Sequence, residues 1–230
     1  MTRAAASGRF RRLLPGPVSV MIATAGLVVL GSSTPAGAAP AALYAAPSAL
    51  GSGDCLTAAT ACPLATALGD VAAGGSIELV TSGIEGTSAT YYSGTFTVST
   101  GGTSSSARVT IEPAAGVTDP ILDGGSAGTV LTIDADVWAD VDGVTIQDGV
   151  TDSGALGTPV GEVGANGGGI RNAGTMQLTN STISDNRTGD GGNGRNGGIF
   201  AGGGGGGNGG AGAGIDNTGT LSLTNSTVTG

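Results

Sequence analysis

The stretch "GTMQLTNSTIS" (residues 174–184) recurs as "GTLSLTNSTVT" (residues 219–229), starting 45 residues later in the chain. In the first copy, Met176 and Leu178 alternate with polar residues, and the second copy repeats this alternation. A period of two is typical of a β-strand with one buried face. A unit copied along the chain is typical of a repeat architecture, in which each unit buries its apolar stripe against the next unit.

An earlier copy extends the repeat. "WADVDGVTIQD" (residues 138–148) aligns with residues 175–185, and Gly143 then lies over Asn180. Asn and Gly both tolerate left-handed backbone, so this position predicts a bend, at which Asn180 stacks under Asn225 as a structural ladder. Each unit contains three short strands, which predicts an all-β fold, a right-handed parallel β-helix solenoid with three strands per coil. Further strand candidates are residues 76–80, 94–99, 107–112, 129–134, 138–143 and 144–149.

The N-terminal part of the chain predicts export. Residues 1–38 combine a basic start, an apolar run over residues 18–31 and a small-residue cleavage site, which together indicate a secretory signal peptide. A twin-arginine signal at Arg11-Arg12 and an uncleaved membrane anchor are the alternatives. Residues 39–53 are rich in Ala, Pro, Gly and Ser and predict a flexible leader. We therefore expect a secreted or cell-surface protein with no membrane span in its mature form.

Removal of residues 1–38 leaves an acidic protein. Four Arg, no Lys and no His then face 17 acidic residues, which gives a net charge of −13. Nucleic acid is disfavoured as a partner because binding it requires cations that neutralise phosphates. Divalent cations are compatible with such a surface, and Ca²⁺ is the one cofactor that we consider.

Residues 54–75 predict an N-terminal cap. In an exported chain Cys55 and Cys62 are expected to form a disulfide, since no His or Cys-x-x-Cys spacing supports a metal or redox role. Pro63 suits the first turn of a short amphipathic helix over residues 63–73. Such a helix can cover the apolar end of the first coil, and residues 76–230 then form the coils.

Two longer stretches carry a resemblance to a known class. "GGGIRNAGTMQLTNSTISDN" (residues 167–186) and "DCLTAATACPLATALGDVAAGGSIELV" (residues 54–80) resemble the secreted bacterial repeat proteins among the pectate lyase-like right-handed parallel β-helices. The resemblance covers roughly residues 55–230 and implies a fold. It implies little about activity, because this solenoid carries lyases, hydrolases, adhesins and passive surface proteins.

One acidic cluster offers candidate site residues. In "DADVWADVDG", alternation places Asp134 and Asp136 outward on one strand, and Trp138, Asp140 and Asp142 outward on the next. Carboxylates two residues apart on a strand are separated by roughly 6.5–7 Å at their Cα atoms, which is within the range of an inverting glycosidase pair. The four aspartates are therefore candidate catalytic residues. The Trp138 ring is a candidate sugar-binding platform. The alternative is a solvated acidic face that contributes only solubility.

The catalytic patterns that the resemblance implies are missing. Polygalacturonase-like enzymes use an Asn-Thr-Asp stretch and a His, and this chain has no His. Pectate lyase-like enzymes use an Arg or Lys base near Ca²⁺ ligands. Arg108 and Arg171 lie closest to such a position, but Arg resists deprotonation and both are interpreted as surface charge partners. No metal site is assigned.

The segment at residues 188–214 is glycine-rich to an extreme degree. Glycine at this density is costly to order, which predicts a flexible loop inserted at a corner of the coil. A packed polyglycine arrangement is the alternative.

The sequence therefore favours a non-catalytic module that binds an extracellular polysaccharide or another cell-surface polymer, or that serves as structure. The alternative is a polysaccharide lyase or glycoside hydrolase that acts on acidic polysaccharide. A third interpretation is an incomplete fragment, because no cap follows the last coil at residues 225–230. An uncapped coil exposes strand edges, so we expect either a longer natural product or end-to-end self-association.

Overall fold

A computed structural model describes residues 42–81, 90–197 and 202–230 of the chain. The predicted signal peptide, residues 1–38, lies outside the described residues. The described part is all-β with one α-helix, and its strands form three sheets in which every strand pairs in parallel with its neighbours.

The strands are numbered in chain order, and each sheet takes strands from the whole length of the chain. Sheet A contains β1 (Leu43–Ala46), β2 (Cys62–Pro63), β3 (Ser76–Leu79), β6 (Val109–Pro113), β9 (Trp138–Asp142), β12 (Thr175–Thr179) and β15 (Thr220–Thr224). Sheet B contains β4 (Thr90–Ser93), β7 (Pro120–Asp123), β10 (Thr145–Gln147), β13 (Thr182–Ser184) and β16 (Thr227–Val228). Sheet C contains β5 (Phe96–Val98), β8 (Leu131–Ile133), β11 (Ile170–Asn172) and β14 (Ile215–Asn217).

From β3 onward, consecutive strands lie in sheet A, then sheet B, then sheet C, before the chain returns to sheet A. Equivalent strands of successive units pair in register, so that Met176 lies opposite Ala139 on one side and Leu221 on the other. The 45-residue copy in the sequence thus becomes direct pairing of β12 with β15. Three stacked parallel sheets of this kind are compatible with a parallel β-helix.

The core lies between the three sheets. Alternate residues of each strand point inward, so in-register pairing stacks apolar side chains on apolar side chains. In sheet A, Ile111, Val141 and Leu178 form one such column, and each is essentially inaccessible to solvent. Leu122 and Ile146 form the matching column in sheet B.

One end of this core is covered by α1, which runs over Leu64–Asp70. Leu64, Ala67 and Leu68 point into the core, and the helix contacts β1 and β5. The helix is shorter than the predicted residues 63–73 because the backbone becomes extended at Val71. A disulfide joins Cys55 to Cys62 beside the helix, as expected.

The leader predicted for residues 39–53 requires a correction. Residues Leu43–Ala46 form β1, which pairs with β2 and β3. Ala45 and Ala46 are fully buried, and the buried Tyr92 hydroxyl oxygen lies 2.9 Å from the Ala45 carbonyl oxygen. Ala45 belongs to the main core, which also contains Tyr92, and Ala46 belongs to a second buried cluster with Ala61, Val80 and Ala114.

The glycine-rich segment also differs from the flexible loop predicted for residues 188–214, of which residues 198–201 lie outside the described residues. Two extended stretches of this segment and two earlier stretches are joined by backbone hydrogen bonds at intervals of three residues. We name them rod 1 (residues 151–157), rod 2 (159–167), rod 3 (188–195) and rod 4 (204–211). A spacing of three matches the polyproline II helix, which has three residues per turn.

Parallel and antiparallel contacts combine in this rod bundle. Rod 1 runs parallel to rod 3 and rod 2 runs parallel to rod 4, while rods 1 and 2, rods 2 and 3, and rods 3 and 4 are antiparallel. A Cβ atom at Gly192 would overlap the carbonyl oxygen of Ala155, and one at Gly207 would overlap that of Glu162. The rods therefore pack backbone against backbone, which requires glycine at every third residue.

Candidate functional site

The outward face of sheet A carries three of the predicted site residues. Trp138, Asp140 and Asp142 are alternate residues of β9, and all three are half-buried on the side opposite the core. The sequence placed them together correctly, because alternation within a single strand is a local property.

Asp140 and Trp138 share a cationic partner. Pairing of Val109 with Ala139 puts Arg108, which directly precedes the neighbouring strand β6, beside Trp138. The Arg108 Nη1 atom donates to the Asp140 Oδ1 atom at 2.8 Å, and its Cζ atom lies 4.9 Å from the centroid of the Trp138 ring. The Arg108 side chain is 14% exposed, so its charge is substantially withdrawn from water. Asp140 is thereby engaged in an ion pair, and one side of the Trp138 ring is covered.

Asp134 and Asp136 do not join this group. Strand β8 ends at Ile133, and Asp134 and Asp136 lie in the turn that leads to β9. Asp136 is exposed and has a left-handed φ of 64°, which Asp tolerates better than most residues. The predicted placement of both residues on a strand is therefore corrected, and the four aspartates do not form one cluster on a sheet face.

Asp142 belongs to a polar row at the bend after sheet A. The Asn180 Nδ2 atom donates to the Asp142 Oδ1 atom at 2.8 Å, and Asn225 Nδ2 donates to Asn180 Oδ1 at 3.4 Å. Both asparagines have a φ of 49°, and Gly143 takes the same bend with a φ of 64°. This row links the ends of three successive strands of sheet A, β9, β12 and β15, which is a structural role.

Two further carboxylates lie beside Asp142 that the sequence analysis did not single out. The in-register pairing of β3, β6 and β9 places Glu78, Glu112 and Asp142 in one outward row. Partial burial, and then the charges of Glu78 and Asp142, raise the pKa of Glu112 above its ordinary value. The acidic residues of "SIEL", "TIEP" and "DVDG" occupy equivalent positions in their strands. This equivalence becomes visible only when the strand register is known.

No metal centre emerges from these acids. Within residues 42–81, 90–197 and 202–230, no group of three or more His, Cys, Asp or Glu is arranged to hold a metal ion. The Ca²⁺ considered from the sequence therefore has no assigned ligands.

A cavity of about 430 Å³ lies where the rod bundle meets the outward face of sheet C. Rod 1 and rod 2 form one wall, with Asp152, Val163 and Asn166, and Arg171 of β11 forms the other. The volume falls in the usual range for small-ligand sites. The cavity lining combines two opposite charges, Arg171 and Asp152, with the apolar side chain of Val163.

Some polar side chains of the cavity form hydrogen bonds within the protein, and others do not. The Thr151 hydroxyl donates to the Ala165 carbonyl at 2.6 Å and accepts from the Gly189 N–H at 2.9 Å, so it holds the wall together. In the described part of the chain, no carboxylate lies within 4.0 Å of the Arg171 guanidinium, and the Asp152 side chain makes no hydrogen bond. Arg171 and Asp152 are therefore available to a ligand.

Comparisons of the chain with protein-family models, with curated proteins and with solved structures found no match. Among the described residues, no helix is both long enough and apolar enough to cross a bilayer. The class of the protein is therefore defined by its own architecture, an all-β protein of three stacked parallel sheets with a disulfide and one capping helix.

Proposed function

We propose that this protein is a secreted or cell-surface parallel β-helix of the pectate lyase-like type, and that it binds an extracellular polysaccharide without cleaving it. The disulfide supports an oxidising, extracytoplasmic location. The sequential use of sheets A, B and C supports the solenoid. The observation that carries the binding function is the cavity between the rod bundle and sheet C.

The chemistry of this cavity suits a sugar ring. Arg171 supplies N–H donors, Asp152 supplies acceptors, and the Asn166 side chain supplies an amide, so vicinal hydroxyls find both donors and acceptors. Val163 offers apolar surface to the C–H face of the ring. Polar groups that fix orientation beside an apolar wall are the usual composition of a small-ligand site.

Charge favours a neutral glycan over a polyanion. Without residues 1–38 the chain carries a net charge of −13, which repels a uronate polymer at long range. The cavity itself contains one cation, Arg171, and one anion, Asp152. A neutral saccharide unit satisfies both charges through hydroxyl groups.

The test is calorimetric titration of the protein with neutral oligosaccharides and with oligogalacturonate. We expect binding of a neutral oligosaccharide that Arg171→Ala and Asp152→Ala each weaken at least tenfold. Arg195→Ala is the matched control, since Arg195 is an exposed arginine of rod 3 outside this cavity, and it should leave affinity unchanged. Binding that is insensitive to both cavity variants, or confined to oligogalacturonate, contradicts the proposal.

A hydrolase is the second candidate, and one observation favours it. Glu112, whose pKa is raised, neighbours Asp142 on the next strand. Adjacent strands lie about 4.8 Å apart, close to the carboxylate separation of about 5–5.5 Å in retaining glycosidases. Glu112, whose pKa is raised above its ordinary value, and the neighbouring Asp142 would supply the two carboxyl groups that such a mechanism requires. Release of reducing ends that Glu112→Gln abolishes would replace the binding proposal with this one.

A further inference from the structure

Asn166 brings an amide of restricted orientation to the cavity between the rod bundle and sheet C. Its Oδ1 atom accepts from the Ala211 N–H at 2.8 Å, and the neighbouring Gly167 N–H donates to the Ala211 carbonyl at 3.1 Å. Among the described residues, the Asn166 Nδ2 group has no acceptor. Because the oxygen and nitrogen of an amide share one plane, the bond to Ala211 restricts where the two remaining N–H donors lie. Asn166 therefore offers a ligand in the cavity two donors in a defined position.

An apolar side chain lies on the same edge of rod 2. Val163 precedes Asn166 by three residues, which is one polyproline II turn of about 9 Å, so both side chains leave the rod on one side. The intervening Gly164 faces rod 3, because an added Cβ atom there would overlap the Gly189 carbonyl oxygen. Val163 is 60% exposed and lines the cavity. The cavity wall thus combines an apolar surface and a positioned amide donor within the reach of one substituted sugar ring.

Asp152 adds an acceptor beside these two groups. The Ala165 N–H donates to the Asp152 carbonyl at 2.8 Å, so Asp152 of rod 1 lies next to the segment that carries Val163 and Asn166. An ionised carboxylate accepts hydrogen bonds and cannot donate them. The wall therefore presents an acceptor, a donor and an apolar side chain together, whereas a single sugar hydroxyl would use at most the first two.

We propose that the saccharide unit bound in this cavity is an N-acetylhexosamine, which carries one acetamido group. The acetamido N–H donates to the Asp152 carboxylate, its carbonyl accepts from Asn166 Nδ2, and its methyl group packs against Val163. Arg171 on the opposite wall donates to ring hydroxyls. This inference rests on the proposed function, because it names the sugar that the same cavity recognises.

Two related sugars fit this wall less well. A plain hexose has a hydroxyl in place of the acetamido group, so it leaves Val163 without the methyl contact and one polar group of the wall without a partner. A deacetylated hexosamine carries an ammonium group, which Asp152 attracts but which offers only donors, so a donor then faces the Asn166 donors. A polar group that binding buries without a partner is a strong source of discrimination between ligands.

The test is calorimetric titration with tetra-N-acetylchitotetraose, cellotetraose and deacetylated chitotetraose, which share one β-linked backbone and differ in the substituent at C2. We expect the acetylated sugar to bind about tenfold more tightly than cellotetraose. Asn166→Asp removes the N–H donors and keeps an oxygen that accepts from Ala211, so it should reduce this preference to about twofold. Asn193→Asp is the matched control, since Asn193 is an exposed asparagine of rod 3 outside this cavity, and it should keep the full preference.

The outcomes separate this inference from the proposed function. Equal affinity for the acetylated sugar and cellotetraose overturns the assignment of the sugar and leaves the neutral glycan site in place, whereas failure of every neutral oligosaccharide to bind overturns both. Tighter binding of the deacetylated sugar, or a preference that Asn166→Asp leaves unchanged or that Asn193→Asp reduces equally, also overturns the assignment. If the Asn166 variant fails to fold, saturation-transfer NMR with the wild-type protein decides the question. The acetyl methyl protons should then receive the most saturation, and a maximum at ring protons far from the acetamido group contradicts the proposal.

Discussion

The three stacked parallel sheets, called the coils below, and the rod bundle both stack successive stretches of the chain, but they pack in opposite ways. The coils turn alternate side chains inward, so that columns such as Ile111, Val141 and Leu178 exclude water. The rods turn glycines inward, so that backbone meets backbone with no side chain between. The coils therefore depend on side-chain volume, whereas the rods depend on the absence of side chains.

The substitution with the largest expected effect tests whether the coils depend on buried side-chain volume. Leu178→Ala opens a cavity in a fully buried column of the coils, and we expect a loss of about 2–5 kcal/mol in the free energy of unfolding. Urea-induced unfolding followed by circular dichroism measures it. Leu156→Ala in rod 1 is the control, since this leucine is 68% exposed, and it should change stability by less than about 0.5 kcal/mol.

The reciprocal substitution tests the rods. Gly192→Ala adds one methyl group where the Ala155 carbonyl lies, and overpacking of this kind costs about 1–3 kcal/mol. The damage should be local, seen as faster amide exchange in rods 1 and 3 with unchanged exchange in β9 and β12. Gly205→Ala adds the same methyl in open space and should leave exchange within rods 1 to 3 unaltered. Equal effects at both glycines would refute backbone-on-backbone packing.

A third pair of variants removes one buried hydroxyl from each region. Tyr92→Phe deletes a donor to the Val80 carbonyl at 2.6 Å in the coils. Thr151→Val deletes the hydroxyl that bridges Ala165 and Gly189 in the rods. We expect each substitution to destabilise its own region by about 1–2 kcal/mol, because a buried hydrogen-bonding partner is left unsatisfied.

The two losses should appear in different measurements. Tyr92→Phe should lower the midpoint of global thermal unfolding. Thr151→Val should speed exchange of the Gly189 amide and weaken saccharide binding, with little change in the midpoint. A common fall in the midpoint for both variants would mean that rods and coils unfold as one unit.

The smallest expected effect concerns pH. The pKa of Glu112 is raised in the folded protein, mainly by partial burial and then by Glu78 and Asp142. The folded state therefore binds this proton more tightly than the unfolded state, and stability falls as pH rises from the ordinary glutamate value through the raised one. Glu112→Gln should remove this slope and slightly stabilise the protein at neutral pH. Thermal midpoints measured from acid to neutral pH give the answer, and Glu162→Gln on the exposed surface of rod 2 is the control.

The sequence predicted most of the coils because their evidence is local. Alternation within "TMQLT" sets the inward face, and the copy in "TLSLT" sets the partner strand, so the strands after β8 follow without knowledge of the fold. Strand β1 was missed because its alanines resemble linker composition. Strand β7 was missed because it begins with a proline, a position that sheets tolerate at strand ends.

The candidate sites were less predictable because their residues come from separate coils. Arg108 meets Trp138 only through the register of β6 and β9, which composition does not specify. Asp134 and Asp136 continue the alternation past Ile133, so the end of β8 was invisible in the sequence. In the rods, glycine fills so many positions that the required period of three is concealed.

The two kinds of packing also imply different responses to temperature. Unfolding the coils exposes apolar surface, which raises heat capacity, whereas separating the rods exposes mainly peptide groups, which lowers it. The hydrophobic contribution of the coils therefore weakens on cooling. The rods lack that dependence because few apolar side chains lie between them. Cooling should therefore weaken the hydrophobic stabilisation of the coils more than it weakens the backbone contacts among the glycine rods.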